Sequence, residues 1–175
     1  YGDSALSRWC KTALYQARDE VFVRLTIQRV AIASVMMGSM FAVTQLAPAF
    51  VWPAMAVYFA LWGWLTPPVI LMLHNTMHRP FIKSPKALDW AHPFVMSFFY
   101  GIPTGYREHH LGIHHFEDNM PNDLSSTMRY QRDSFAHFLV YFARFFFLSI
   151  VEVPLYLHRH KRRSMARRAL FGELA

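Results

Sequence analysis

Cysteine is nearly missing from this chain: Cys10 is the only one among 175 residues. One thiol cannot close an internal disulfide or build a zinc–thiolate site or an iron–sulfur cluster, so metal chemistry here has to use histidine. Charge is scarce too, at 17% of residues against 54% hydrophobic and 17% aromatic. With a mean hydropathy of +0.14, that composition excludes an ordinary soluble domain and points to a membrane protein. The length admits three or at most four spanning helices of ~20 residues across a bilayer core of ~30 Å, which leaves no room for a large soluble catalytic domain. No internal repeat or low-complexity tract occurs. The chain opens at Tyr1 without a basic, apolar and small-residue signal pattern, so it is expected to be processed or to form part of a longer product.

What charge there is leans one way. Lys and Arg number 18 against 11 Asp and Glu, a net charge of +7. The cations sit beside the apolar runs, at Arg18, Arg24 and Arg29, at Arg79, Lys83 and Lys86, and from Arg159 through Arg168. Such juxtamembrane placement favours anionic lipid over nucleic acid.

Residues 1–29 place Leu6, Trp9, Cys10, Ala13, Leu14, Ala17 and Val21 at helical spacing among charges, which predicts an amphipathic interfacial segment. From Val30 to Ala47 no charge occurs, and Ser34, Gly38 and Ser39 supply small packing residues. A first spanning helix is expected there, ending near Pro48. Pro53 opens a second run through Leu73, and the short connection predicts an antiparallel hairpin whose ends return to one membrane side. Residues 89–103 are too short and too broken by Pro93, Gly101 and Pro103 to span, so an interfacial or re-entrant element is expected. A polar segment from Thr104 to Asp133 precedes a third apolar run, Ser134 to Leu157, that contains His137, Arg144 and Glu152. The basic tail beyond it conflicts with the other basic segments if the number of spans is odd: either the third run stops short of crossing or the positive-inside rule fails. The expected fold is therefore an all-α integral membrane protein with about three membrane helices plus interfacial helices. Its parts are an interfacial segment (1–29), a membrane domain (30–157) and a basic tail (158–175).

Ten histidines stand out. His74 and His78 lie four apart at the end of the second run, one turn apart on a helix, with Pro80 limiting its extension. The stretch YREHHLGIHHFEDN holds His109, His110, His114 and His115, with His110 and His114 again expected on one helical face. Since no full span intervenes, both clusters are expected at one membrane surface. Imidazole nitrogen suits iron, zinc and copper, while the lack of a dense carboxylate set argues against hard ions. Six histidines exceed the three or four ligands of one zinc, which points to two metals.

These residues resemble the membrane fatty acid desaturases and their hydroxylase relatives, known by three histidine boxes. His74 to His78 resembles the first box. His110 with His114 and His115 resembles the second, preceded by Tyr106 and Arg107 where the family often has an aromatic–Arg pair. The third box is absent, since only His137, His158 and His160 follow His115. The resemblance, over roughly residues 30–157, implies a helical bundle with a surface di-iron site. It further implies dioxygen-dependent introduction of a double bond into an acyl chain of membrane lipid, with electrons from ferredoxin or cytochrome b5. Two alternatives stand beside it: an inactive homologue serving as an accessory subunit of a larger membrane complex, with no iron if the site is a remnant, and a related carotenoid, sterol or alkane oxygenase. The membrane would be a plastid or thylakoid membrane, the endoplasmic reticulum or a bacterial inner membrane.

Removing hydrogen from an unactivated methylene needs a stronger oxidant than any side chain, and redox-inert zinc cannot activate dioxygen. Iron on neutral imidazoles suits the task. Metal-bound imidazoles need acceptors for their other ring nitrogen, and Glu108, Glu117, Asp118 and Asp123 are near enough in sequence to serve, or are surface carboxylates. Arg107 is expected to pair with one of them or a lipid headgroup, or to be a plain surface charge. His92 and His137 read as packing or hydrogen-bonding histidines, and Asn119, Asn122 and Asp123 as turn and cap residues. Arg144 and Glu152, eight apart inside an apolar run, are functional suspects unless a partner helix or lipid phosphate accounts for them.

Overall fold

The computed structural model describes residues 3–103 and 105–174; Tyr1, Thr104 and Ala175, which bound segments drawn above, lie outside the described residues. The fold is all-α. Among the described residues no strand forms, and the β-type pairing is an isolated antiparallel bridge between Leu14 and Ile82. Three helical stretches are long and apolar enough to cross a membrane: Ala17–Leu46, Pro48–His78 and Phe135–Arg159, with mean hydropathies of 1.4, 1.6 and 1.8 in their most apolar windows. The chain forms two compact units, 1–102 and 103–175.

In the first unit, α1 (Ala5–Ala13) begins where the Ser4 hydroxyl accepts from Ser7 N–H, a side-chain cap for one of the orphan donors of the first turn. A 3-10 turn, Ala17–Asp19, leads into α2 (Glu20–Leu46). The amphipathic segment is thus shorter than expected. Tyr15 and Gln16 break the helix, and residues 20–29 belong to the spanning helix, where Glu20 and Arg24 find partners. Ser7 Oγ donates to Glu20 at 2.8 Å, and Arg24 pairs with Glu20 at 2.6 Å.

The 3-10 turn Pro48–Phe50 reverses the chain into α3 (Val51–His78), which carries Pro67 and Pro68 without ending. Each proline removes one i→i−4 bond, a loss a membrane helix tolerates. The expected hairpin is present, and its open end is clasped: both Arg79 guanidinium nitrogens donate to the Asp19 carboxylate at 2.8 Å. Such a two-pronged fork fixes geometry as well as charge.

Beyond the clasp, Cys10, Leu14, Phe81 and Ile82 form a small core under Trp9 and Phe22. Asp89 then accepts from the backbone N–H groups of Phe81 and Ile82 at 2.9 Å each. This anchors α4 (Lys86–Tyr100), a helix of 15 residues over the stretch expected to be interfacial or re-entrant, which ends at Gly101 with φ of +63°, a conformation that favours glycine. His92 Nε2 lies 3.0 Å from Thr26 Oγ1, and the Tyr100 hydroxyl donates to the Arg29 carbonyl at 3.0 Å. His92 is thus a hydrogen-bonding histidine, as expected, and burial pushes it down to about 4 against the opposing charge of Asp89.

In the second unit a helical run passes from α5 (Tyr106–His109) through a π-helical turn (His110–His114) into α6 (His115–Glu117). Left-handed Asp118 and Asn119 end it. After a turn-rich loop comes α7 (Phe135–Arg159), which Ser134 caps, and then α8 (Arg163–Leu174). The charges inside α7 answer each other: Arg144 reaches both Glu152 oxygens at 3.2 Å. Such pairing is the usual condition for ionisable groups at membrane depth. His137 accepts from the Gln131 N–H at 2.8 Å, a hydrogen-bonding role as expected. Ile113, Val153, Leu157, Ala166 and Ala169 form the core of this unit.

Candidate metal centre

In the first unit the regular winding of α3 sets His74 and His78 one turn apart on one face, with ring centroids 5.0 Å apart. Their ligand nitrogens come within 4.8 Å of each other, with His74 half-buried and His78 exposed. Between them Asn75 donates to the Leu71 carbonyl. It acts in its own helix.

In the second unit the rings of His110 and His114, expected on one helical face, stack with centroids 5.6 Å apart, and His115 comes closer still. The π turn widens the helix, so the residue stacked one turn beyond His110 is the fifth along. Nε2 of His110 and Nε2 of His115 are 3.0 Å apart, with centroids 4.5 Å apart. The contact is a hydrogen bond between the two rings, and it lies near the ~3.0–3.4 Å that separates two imidazole nitrogens bound at ~2.0–2.1 Å to one ion. The Tyr106 ring stacks on His110, centroids 5.4 Å apart and nearly parallel, which fixes the imidazole plane.

His114 turns its Nδ1 to the Asp123 carboxylate at 2.6 Å. A carboxylate on one ring nitrogen fixes the tautomer and leaves Nε2 as the donor atom, an arrangement common among metal-ligating histidines. Asp123 is itself buried and also accepts from Ser125 N–H and Oγ. Burial would raise its carboxyl, but the hydrogen bonds from Ser125 and His114 outweigh that and hold it below the ordinary aspartate value. Asn119 accepts from Thr127 N–H, so the loop combines the expected turn chemistry with a support for His114.

His109 is buried beside Phe145, with ring centroids 5.2 Å apart, and its Nε2 has no hydrogen-bond partner among the described residues. Burial pushes this imidazole down to about 4, so it is held neutral.

Three expected supports lie elsewhere. Glu108 does not serve a histidine: it is buried and taken by Arg168 at 2.7 Å, because α8 packs against α5 and brings a cation to that carboxylate. Glu117 accepts from the Tyr156 hydroxyl, and Asp118 is an exposed left-handed helix end. Arg107 is exposed and pairs with no carboxylate among the described residues.

The π turn escaped sequence reasoning, although Gly112 inside the histidine stretch is its trace. A Cβ there would lie 2.7 Å from Met165 Cε and 3.0 Å from Leu157 Cδ2. A side chain at this position would have to displace the ends of Met165 and Leu157, so glycine favours this close approach of the histidine helix to α7 and α8. Arg162 then donates to the Gly112 carbonyl.

Comparison of the chain with protein families, with curated proteins and with solved structures finds no match. The class the fold defines is an all-α protein with three helices capable of crossing a membrane, carrying clustered histidines.

Proposed function

We propose that this chain is a desaturase-like membrane oxidoreductase in which His74, His78, His110, His114 and His115 hold two iron ions, with His109 as the sixth candidate ligand. The observation that carries the reading is the His110–His115 pair, whose ring nitrogens share a hydrogen bond at 3.0 Å on a π turn and are thus near enough to meet at one ion. π turns of this kind gather at functional sites. The His74–His78 pair supports it, as does Asp123 on His114. Bound iron would supply the activation of dioxygen that side chains lack. The residues of the chain do the rest: Asp123 orients His114, and Tyr106 sets the plane of His110.

The reaction removes two hydrogens from adjacent methylenes of an acyl chain. Dioxygen takes those two hydrogens together with two protons and two electrons from a donor such as ferredoxin or cytochrome b5, giving one carbon–carbon double bond and two waters. The acyl substrate arrives from membrane lipid in a plastid or thylakoid, endoplasmic reticulum or bacterial inner membrane.

A second reading, an inactive homologue serving as an accessory subunit, is favoured by the fate of the remaining histidines. His137 accepts a backbone N–H, His160 stacks on Tyr156 with centroids 4.0 Å apart, and His158 is exposed, so none completes a third box. Iron content separates the two readings. The enzyme reading expects about two irons per purified chain and a new double bond in acyl lipid when reduced donor and dioxygen are supplied. Iron well below one equivalent would support the accessory role. A product on a carotenoid, sterol or alkane instead of an acyl chain would move the assignment to a related oxygenase.

A further inference from the structure

The last two turns of α7 line a cavity of about 410 Å³ together with the loop that follows α6, within the ~300–1,000 Å³ range of small-molecule sites. Its wall carries charges of both signs, Glu117 and Glu152 on one hand and Arg159 on the other, beside His160 and between apolar Leu124 and Leu155. The carboxylates are not equivalent. Glu152 is matched by Arg144, whereas Glu117 accepts from the neutral Tyr156 hydroxyl and forms no ion pair among the described residues. Arg159 is exposed and has no hydrogen-bond or ion-pair partner among the described residues. One anionic and one cationic group, neither in an ion pair among the described residues, therefore face the same cavity.

Its depth in the bilayer also has a physical consequence. A helix of 25 residues spans ~37 Å at 1.5 Å per residue, more than the ~30 Å hydrocarbon core. Arg159, its last residue, thus belongs at headgroup level, while Leu155, 42% exposed, looks toward acyl chains.

We propose that this cavity binds a zwitterion carrying an ammonium and a phosphate, as in phosphoethanolamine or phosphocholine, with Arg159 on the phosphate and Glu117 on the ammonium. An anion alone would meet Glu117 and a cation alone would meet Arg159, so a ligand with both charges is the one that leaves neither pole opposed. None of the six candidate ligand histidines lines the site, which does not depend on the metal reading.

The test is native mass spectrometry of the purified full chain in detergent micelles holding equal amounts of phosphatidylethanolamine and phosphatidylglycerol. The expected result is retention of phosphatidylethanolamine about tenfold over phosphatidylglycerol, the size of one charge-assisted hydrogen bond. Glu117→Gln should erase that preference, and Arg159→Gln should lower retention of both lipids. Tyr156→Phe, which leaves both charges in place, should keep the preference, and circular dichroism checks that each variant is folded. Competition by soluble phosphoethanolamine at equal concentration would identify a free metabolite as the ligand, and its failure to compete would identify the lipid. Equal retention of the two lipids by the unaltered chain overturns the proposal even if a variant misfolds, as does equal competition by inorganic phosphate and phosphoethanolamine.

Discussion

The two histidine stretches reach close imidazole pairs by opposite routes. His74 and His78 need nothing beyond a regular α-helix, since positions four apart share a face. His110 and His115 are five apart and would diverge on an α-helix; a π turn brings them together. The first arrangement is local and follows from spacing alone. The second depends on tertiary support, because the turn is seated on α7 and α8 through Gly112, held by Arg162 at its carbonyl and flanked by the Glu108–Arg168 pair. A ligand pair fixed by its own helix and one fixed by distant residues should fail in different ways.

The largest expected effect comes from removing the π-spaced pair. His110→Ala with His115→Ala should lower bound iron at least tenfold by elemental analysis while the circular dichroism spectrum is unchanged. Full iron retention in that variant would remove the proposed ligand set. Asp123→Asn comes next. Loss of a carboxylate behind a metal-bound imidazole costs about 10–100-fold in metal affinity, read by competition with a chelator, and an affinity within twofold of the parent would mean that His114 is no ligand.

In the first unit, protonation should be the weak point. His92 is pushed down to about 4 in the folded state, below its ordinary ~6.5. The unfolded chain therefore binds the extra proton between those values, so the stability is complete above pH ~6.5 and is lost as pH falls toward 4. The upper bound is roughly 3 kcal/mol. His92→Gln should flatten the dependence of Tm on pH in that window, and an unchanged slope would assign the loss to other groups.

The smallest effect is expected at Gly112→Ala. Its methyl would press on the flexible end of Met165, which yields at a cost of about 1 kcal/mol. Met165→Ala in the same chain should restore Tm, whereas failure of that rescue would point to strain in the π turn itself.

Much of this architecture is legible in the chain. Long apolar runs mark the helices able to span, the first two free of charge and the third holding only Arg144 and Glu152, and the short connection at Pro48 marks the hairpin. The spacing of His74 and His78 anticipates their pairing because α-helical geometry is local. Residues 20–29 joined the spanning helix against expectation because Glu20 and Arg24 are answered by each other and by Ser7, a partnership that periodicity does not record. The π turn was hidden for a related reason: its cause is the closeness of Met165 and Leu157 to Gly112, residues some fifty positions away. Glu108 looked like a support for a histidine by sequence distance, yet Arg168 claims it across sixty positions. Asp123 was legible because the chain that carries it turns straight back on His114.

The Asp19–Arg79 clasp also bears on biosynthesis. Both of its members have been translated before the first residue of the second histidine stretch, so the opening pair of spans can lock its own open end while synthesis is still under way. An Arg79→Gln chain would leave the Asp19 carboxylate, 3% exposed, without its cation at that stage. The defect should then show as poor membrane insertion and early degradation of the nascent hairpin, not as a lowered activity of the finished protein.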